Sequence, residues 1–311
     1  MNNKNILHQI PSEKSIKHTL RKLVFGRFIF CPICHTRQVA KSENRYRCKL
    51  CRKPFSLTSV IPWLKGLKLP LQELWLILWC WINKVPIDQT IRISGRSEIT
   101  VRRWFDKFRY NLPQDLIDSI LLENTVQIDE AYRKGYAIIG AKEEKRDNKD
   151  KESKIVLRVL PKTSVDRKDI VTFMTDSIVP NSNLNSDGAA IYQGIGNWWP
   201  VNHRFEIHKK WEFTLTSEIE GIWANLFTFI RRMYHHVTKD KIEGLVKEFS
   251  IRYMYPDLFL TPNHFLEVSI QKIKYQPRSQ GKPKIENNIM KNANQILQTK
   301  TYELPSIYQT I

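Results

Sequence analysis

The sequence lacks an apolar run long enough to cross a membrane. Its longest, LWLILWCWI at residues 74–82, covers less than half of the roughly 20 residues that a transmembrane helix needs. The first residues, MNNKNILHQIPSEK, contain no apolar core of a secretory signal. We therefore expect no membrane partner and a reducing compartment, in which disulfides are rare.

Cysteine is also scarce, with five among 311 residues, and the chain shows no internal repeat. Four of the five lie between residues 31 and 51, which does not suit the disulfide framework of a small secreted protein. The fifth, Cys80, lies in an apolar helical run, where a buried thiol serves as a small core residue. The other four are therefore the candidates for metal chemistry.

Negative charge is in the minority: 31 Asp and Glu residues against 50 Lys and Arg give a formal net charge of +19. With 41% hydrophobic residues the chain can still build a core, so disorder is not indicated. A basic excess of that size, spread along the chain, favours a polyanion partner, and nucleic acid is the leading candidate. The alternative is a basic protein without such a partner.

The four clustered cysteines form two CxxC pairs in CPICHTRQVAKSENRYRCKLC. Each pair can turn so that both sulfurs reach one ion, and four thiolates complete a closed tetrahedral Zn²⁺ site. Because such a site keeps no open position, the zinc would be structural. The sequence thus predicts a zinc ribbon over residues 29–60, with the ligands Cys31, Cys34, Cys48 and Cys51.

Other uses of these cysteines fit less well. Four reduced structural cysteines would leave the paired turns without a cause, and neither CxxC opens the βα unit of a thioredoxin-like redox site. Basic residues surround the module, which makes it a candidate nucleic-acid contact or, alternatively, a solvated basic surface. They are Arg37, Lys41, Arg45, Arg47, Lys49, Arg52 and Lys53.

A helix-turn-helix segment is predicted over residues 68–114. Two helical patterns lead to Gly95, which supplies the turn, and Ser97 is a good N-cap for a third helix over 98–110. Apolar residues at helical spacing form the core stripe of this last helix, namely Val101, Trp104 and Phe108. The residues left mostly toward solvent, and expected to contact DNA, are Arg96, Thr100, Arg103 and Lys107. The alternative is an ordinary helical linker.

The pattern then changes to strands. TVQIDEAY, GYAIIGA and KIVLRVLPK predict a three-stranded meander, with a charged and solvated hairpin loop at 141–154. An amphipathic helix at 166–179 and a short strand at 183–188 follow, and two long helices come after them, at 216–234 and 239–255. This order of elements is a mixed α/β pattern.

Three acids stand beside apolar residues, where a lone charge is costly to bury: Asp129 and Asp187 on strands and Glu220 on a helix. Acids from two neighbouring strands and a helix can converge on Mg²⁺, a hard cation that prefers oxygen ligands. Two such ions can activate a nucleophilic oxygen and stabilise the leaving oxygen of a phosphodiester. Taken singly, Asp187 could equally be a turn residue, and Glu220 could equally be a surface residue of its helix.

Several stretches carry a family resemblance. They are RYRCKLCRKPFSLTS, TVQIDEAY, NSDGAAIY, the pair NH at 202–203, and TSEIEGIW. In this order they resemble the Merlin-type insertion-sequence transposases, which are ISXO2-like DDE transposases with an N-terminal zinc ribbon. The resemblance covers residues 28–255.

The resemblance implies a ribonuclease-H-like catalytic domain over 122–256, a mixed sheet with flanking helices. A lead at 1–28 precedes the zinc ribbon, and a basic extension at 257–311 follows the catalytic domain. From 262 onward the sequence favours a linker, a DNA-contacting arm or simple disorder. The resemblance also implies a metal-binding catalytic triad of Asp129, Asp187 and Glu220, with Mg²⁺ or Mn²⁺ as cofactor.

The implied reaction is phosphodiester hydrolysis at a transposon end, followed by attack of the freed 3′-hydroxyl on target DNA. The implied partner is double-stranded DNA, both transposon ends and target. A homodimer or larger assembly on paired ends is expected. The compartment would be the cytoplasm, in association with the nucleoid, or the nucleus in a eukaryotic host.

Two positions depart from the family pattern. Ser217 stands where an Asn or Gln is usual before the IE pair, and Phe227 stands where a Lys is usual one turn beyond the Trp. Arg231, one helical turn further on, is a candidate substitute that would contact DNA. The departures leave open a decayed or domesticated DNA-binding relative without catalysis. A nuclease on the same fold is a further alternative.

Two histidines and a glutamate near the triad are harder to assign. His203 could orient a carboxylate or contact phosphate, or it could be a plain core or surface residue, and His208 has the same standing. Glu130 is not expected to be a primary ligand, because adjacent strand residues face opposite ways. A salt bridge to a basic neighbour is its expected role.

Overall fold

The computed structural model describes residues 10–43, 45–133, 135–144, 154–206 and 215–276. Of the charged loop predicted at 141–154, residues 141–143 belong to the second strand of the meander rather than to a loop, whereas residues 145–153 lie outside the described residues. His208 and most of the basic C-terminal extension lie outside them too. Across the described part of the chain, no helix combines the length and the apolar character that crossing a bilayer requires.

An N-terminal helix and a small antiparallel ribbon open the structure. Helix α1 (Glu13–Phe25) begins at Ser12, whose hydroxyl accepts the N–H of Ser15 at 3.2 Å, and buries one apolar face. The ribbon has the strand order β1-β2-β3, with every neighbouring pair antiparallel. Its strands are β1 (Val39–Ser42), β2 (Arg45–Cys48) and β3 (Pro54–Phe55).

Three helices follow the ribbon: α2 (Leu71–Ile82), α3 (Ile87–Ser94) and α4 (Glu98–Tyr110). Gly95 ends α3 in the left-handed conformation, with φ of 65°, which is the usual role of glycine after a helix. Ser97 caps α4 by accepting the N–H of Thr100 at 3.4 Å. The core stripe of α4 is buried as its spacing predicts, at Val101, Trp104 and Phe108. A one-turn helix, α5 (Asp115–Asp118), leads into the sheet.

A mixed five-stranded sheet forms the next layer. Its strands are β4 (Thr125–Arg133), β5 (Tyr136–Glu143), β6 (Ile155–Leu160), β7 (Asn183–Asp187) and β8 (Asn202–Glu206). Their order is β6-β5-β4-β7-β8; β4, β5 and β6 run antiparallel, whereas β7 is parallel to both β4 and β8. This is the strand order of a ribonuclease-H-like fold, in agreement with the predicted class.

The sheet separates two apolar cores. Helix α6 (Arg167–Ser177) covers one face through Ile170, Phe173 and Met174. The other face is covered by α7 (Ser217–Tyr234) and α8 (Lys239–Met254), and its core continues without a break into the ribbon and the N-terminal helices. The site described below lies on this second face.

The start of the C-terminal extension is part of the core rather than a linker, an arm or a disordered tail. Residues Pro262–Ser269 form helix α9, and Phe265 packs against Trp81 with ring centroids 5.3 Å apart. The chain then returns to α1, where the N–H of Ile273 donates to the carbonyl of Val24 at 2.9 Å. A few apolar residues at helical spacing outweigh the polar composition of this stretch, because their burial alone fixes the helix.

Candidate active site

Strand β4 presents its acids to opposite sides of the sheet. Val126 and Ile128 belong to the core under α6, whereas Ala131 belongs to the core under α7. Side chains alternate along a strand, so Asp129 shares the α7 face with Ala131, and Glu130 shares the α6 face with Ile128. The adjacent carboxylates of VQIDEAY are thus separated by the thickness of the sheet.

Register places a second acid beside Asp129. In the parallel pairing of β4 with β7, Thr125 lies opposite Asn183 and Gln127 opposite Asn185. Continued by two residues, the same register brings Asp129 opposite Asp187, on the same face and on neighbouring strands about 5 Å apart. Asp187 ends its strand, and its Oδ1 accepts the N–H of Ala189 at 3.1 Å.

A tryptophan on α7 brings the third acid close to this pair. The indole Nε1 of Trp223 on α7 donates to Oδ2 of Asp129 at 2.8 Å. Glu220 lies three residues earlier on the same helix and is exposed, whereas Trp223 is buried. Residues three apart on a helix share one side, so the bond to Asp129 also brings Glu220 over the edge of β4.

A glycine makes room for this tryptophan. Gly140 lies opposite Asp129 in the β4–β5 ladder, and the Trp223 ring packs directly over it. A Cβ on Gly140 would lie 2.7 Å from Cζ2 of Trp223 and 2.8 Å from Cδ2 of Leu157, which is closer than atoms tolerate. The short residue is needed here for a close approach of helix to sheet.

Helix α7 is capped by a side chain from β4, a contact that sequence reasoning missed. The Oε1 of Gln127 accepts the N–H groups of Glu218 and Ile219, both at 3.0 Å. The Nε2 of Gln127 donates to Glu144 at 3.0 Å, and Asn185 donates to the same oxygen at 3.0 Å. Since Gln127 and Asp129 face the same way two residues apart, this cap fixes α7 against the strand that carries the first acid.

The electrostatics of Asp129 follow from this packing. Burial raises the pKa of its carboxyl from 3.8 to about 6, the hydrogen bond from Trp223 offsets part of the increase, and the charges of Asp187 and Glu220 add to it. The repulsion shows that the three carboxylates share one electrostatic environment. A carboxyl that is costly to ionise without a partner, beside two further acids, suits a divalent cation with oxygen ligands.

The three carboxylates lie less close together than the cysteine sulfurs. Within the described ranges, the cysteine quartet is the one group of three or more such ligands whose atoms all lie within 4.8 Å of one another. A cation shared by Asp129, Asp187 and Glu220 would therefore have to draw their oxygens inward. The donor set fits a hard divalent ion in kind, and its spacing leaves room for one.

Comparison with known proteins places this site in a family. Residues 121–254 match the family model of the ISXO2-like transposase domain. We call residues 121–254 the transposase domain, after that family model. The match spans strands β4 to β8 and helices α6 to α8, and with them all three acids.

Comparison with whole proteins adds little to this assignment. Among solved structures, the chain is similar to a chain of a simian T-cell lymphotropic virus intasome in complex with PP2A regulatory subunit B56 gamma. The TM-score is 0.32 at 10% identity, covering 67% of this chain and 80% of that chain. A likeness this weak carries no argument. No curated protein matches the chain.

On the α6 face of the transposase domain, Glu130 bonds to the hydroxyl of Tyr192 rather than to the expected basic neighbour. Burial raises the pKa of Glu130 to about 7, the tyrosine hydrogen bond lowers it in part, and the charges of Asp129 and Asp187 raise it further. His203 also lies on this side, with Nε2 2.8 Å from the Ser186 hydroxyl, and burial lowers its pKa. His203 is therefore tied to β7 rather than to the triad carboxylates.

The transposase domain holds a further acid that the sequence did not single out. Glu206 lies opposite Asp187 in the parallel ladder of β7 and β8, on the α7 face. Its Oε2 accepts the N–H of Leu215 at 2.6 Å, just before α7 begins. Although Glu206 follows the NH pair at 202–203 by only three residues, no spacing in the sequence links it to Asp187, and strand pairing reveals it.

Ahead of the transposase domain, the predicted zinc ligands converge. The Sγ atoms of Cys31 and Cys51 lie 3.6 Å apart, and those of Cys34 and Cys48 lie 3.4 Å apart. Burial raises the pKa of the Cys48 thiol, but hydrogen bonds, including the backbone N–H groups of Cys51 and Leu50, outweigh it and lower the value to about 6. Four converging sulfurs, one of them poised to ionise, fit Zn²⁺.

The side chains predicted to contact DNA, which lie on α4, in the turn before it and on α7, differ in exposure and in the contacts they already make. Arg103 is exposed, and Arg96 forms an ion pair with Glu73 on α2. Lys107 does not simply face solvent, since its amine donates to the carbonyl of Trp63 at 3.1 Å and lies over the Trp104 ring. Thr100 is half-buried beside the cap, and Arg231 on α7 is exposed.

Proposed function

We propose that the protein is the DNA transposase of an insertion sequence. It binds the terminal inverted repeats, hydrolyses a phosphodiester bond at the transposon end and joins the freed 3′-hydroxyl to target DNA. One observation carries the proposal: the parallel register of β4 and β7, continued by two residues, sets Asp129 beside Asp187, under the helix that carries Glu220. The family match over residues 121–254 supports the same conclusion.

Asp129, Asp187 and Glu220 would hold Mg²⁺ or Mn²⁺. Such ions activate an attacking oxygen and stabilise a leaving oxygen in phosphoryl transfer. The chain's own contribution is position: Trp223 orients one carboxylate oxygen of Asp129, and Gln127 fixes the start of α7. Shielding from water favours the protonated form of Asp129. A carboxyl must lose its proton before it can serve as a metal ligand.

Basic residues outside the triad would hold the DNA. Arg96, Thr100, Arg103 and Lys107 would form the helix-turn-helix contact, and Arg231 would extend it along α7. Lys107 would have to leave the Trp63 carbonyl to reach a phosphate, so Arg103 is the readiest of this set. Zn²⁺ on the four cysteines would have a structural role, and two ends would be paired by a homodimer or a larger assembly.

The test uses the full-length protein with Mg²⁺ or Mn²⁺ and a duplex carrying the inverted repeats that flank its coding sequence. We expect nicking at the repeat end and strand transfer into a second duplex. Asp129→Asn, Asp187→Asn and Glu220→Gln should each abolish both steps while retaining DNA binding. Asp115→Asn, an exposed acid on α5, is the matched control and should leave both steps intact.

Two other results would overturn the proposal in different directions. Sequence-specific binding of the repeats without metal-dependent cleavage would identify a DNA-binding relative. Cleavage of unrelated DNA without joining would identify a nuclease on the same fold. Activity unchanged in Asp129→Asn would refute the assigned site.

A further inference from the structure

A single arginine lies at the carboxyl end of β4, on the same face as the catalytic acids. Arg133 follows Asp129 by four residues, so the alternation of the strand turns both toward α7. Its guanidinium carbon lies 3.7 Å from the centroid of the Phe227 ring on that helix. The arginine side chain is exposed.

The ring beneath this arginine belongs to a continuous row of contacts. Phe227 stacks on Trp223, with ring centroids 6.5 Å apart and planes inclined by 27°. Trp223 in turn donates its indole N–H to Asp129. The row therefore runs from the first catalytic acid through two aromatic rings to a cation, with two members on β4 and two on α7.

The geometry of the stack leaves the arginine free to bind a second group. A guanidinium lying on an aromatic face uses its flat side, and its N–H donors point outward in the plane, where they suit a phosphate. No carboxylate of the described residues forms an ion pair with Arg133, whereas the half-buried cations Lys162 and Arg102 each have one. Phe227 thus positions a cation whose charge is not neutralised nearby.

Distance along the strand defines what this cation can reach. Four strand residues span roughly 13 Å, which is about four nucleotides of duplex rise. We propose that Arg133 binds a DNA backbone phosphate within a few nucleotides of the scissile bond, and that Phe227 is its positioning residue. This inference rests on the proposed function, because it takes DNA to be the substrate.

The experiment measures affinity for the inverted-repeat duplex against salt concentration, with the full-length protein. Arg133→Ala should weaken binding several-fold and reduce the slope of log affinity against log salt by about 1, the loss of one phosphate contact. Arg133→Lys should keep the slope. Phe227→Leu should also keep it but weaken binding, because the charge remains and its platform is lost. In strand transfer, Arg133→Ala should raise KM more than it lowers kcat.

A relocation of the charge separates this role from a merely structural one. The double variant R133A/F227K places an ammonium near the position that the guanidinium occupied, and it should restore the salt slope that R133A loses. Lys168→Ala removes an exposed cation from α6, on the other side of the sheet, and should change neither affinity nor slope. Melting temperatures of all variants show whether each is folded.

The two ways of failing are distinct. If the wild-type protein neither binds nor cuts the repeat duplex, the proposed function itself is overturned. If the wild type is active and Asp129→Asn binds without cutting, an unchanged affinity and salt slope in Arg133→Ala would overturn the role of Arg133 alone. Loss of slope in R133A that F227K fails to restore would overturn the positional argument.

Discussion

At the scale of single residues, the site trades stability for chemistry. Asp129 is half-buried under Trp223 and repelled by two further acids, so its charged form is disfavoured in the folded protein. The unfolded chain ionises the same carboxyl in water at no such cost. A residue chosen for stability alone would be neutral, so a carboxylate at this place is a candidate functional group.

Replacing this acid should stabilise the metal-free protein. A pKa raised from 3.8 to about 6 corresponds to roughly 3 kcal/mol lost on ionisation, and the loss accumulates as pH rises from about 4 to 6. Asp129→Asn keeps an acceptor for Trp223 and should remove the loss. Thermal melts in EDTA should show a variant more stable than wild type at pH 7 and equal to it at pH 4. A variant no more stable at pH 7 would contradict the assigned cause.

Gly140 should be as sensitive as a catalytic residue although it performs no chemistry. Gly140→Ala forces the new methyl against Trp223 and Leu157, so the indole must shift and release Asp129. We expect a loss of about 1–3 kcal/mol in stability and a fall in strand transfer, measured by urea unfolding and by the joining assay. Gly221→Ala is the matched control. Its new methyl meets nothing within 4 Å, so this helix position should be neutral or slightly stabilised.

At the scale of elements, α7 depends on its neighbours for its start. No side-chain hydrogen bond caps it at Thr216, and two N–H groups of its first turn, those of Glu218 and Ile219, are satisfied by Gln127 from the sheet. The helix therefore forms in place only when β4 is in place. Glu220, in the first turn, inherits its position from this dependence rather than from helix propensity.

The ribbon is the other element that cannot stand alone, because three short strands and their turns enclose little apolar surface. Zinc should supply its stability. Cys34→Ser removes one of four ligands, so bound zinc should fall well below one per chain and the melting temperature should drop. Elemental analysis and thermal melts measure both. Cys80→Ala removes a buried thiol outside the quartet and should leave the zinc content unchanged.

At the scale of the whole molecule, a buried ionic network joins helices α2 and α4 to the transposase domain. Glu248 on α8 accepts from Arg109 on α4 at 2.9 Å and from Arg252 at 2.9 Å, all three being almost wholly buried. Arg252 also donates to the carbonyl of Trp81 at 2.8 Å, at the end of α2. On the proposed function, DNA bound by α4 would thus be held at a fixed position relative to the triad.

Breaking this network should destabilise the protein as one unit. Glu248→Gln removes the counter-ion that two buried guanidinium groups share; Arg109 keeps its pair with Asp106, whereas Arg252 keeps only carbonyl contacts. The expected cost is about 3–5 kcal/mol. Glu243→Gln, from an exposed pair with Lys247 on the same helix, should cost less than about 0.5 kcal/mol. Urea unfolding followed by both tryptophan fluorescence and circular dichroism compares them. Equal losses in the two variants would show that the network does not hold the parts together.

Many features of this structure can be predicted from short stretches of sequence. The CxxC pairs predict the metal centre. Gly95 marks the end of α3, and Ser97 marks the start of α4. Alternation in VQIDEAY separates Asp129 from Glu130. Each of these depends on neighbours in the chain, so spacing and residue type are enough. The family resemblance then named the triad as a candidate set.

Only the tertiary structure decided the contacts between distant segments. The bond of Trp223 to Asp129, the cap by Gln127, the space left by Gly140 and the seat of Arg133 on Phe227 each join residues that are far apart in the chain or in different elements. The C-terminal helix gave no strong signal, since its burial depends on a groove made by α2 and α4. Periodicity reports which face of an element is buried, whereas the partner on that face is fixed by packing, which no single stretch of sequence contains.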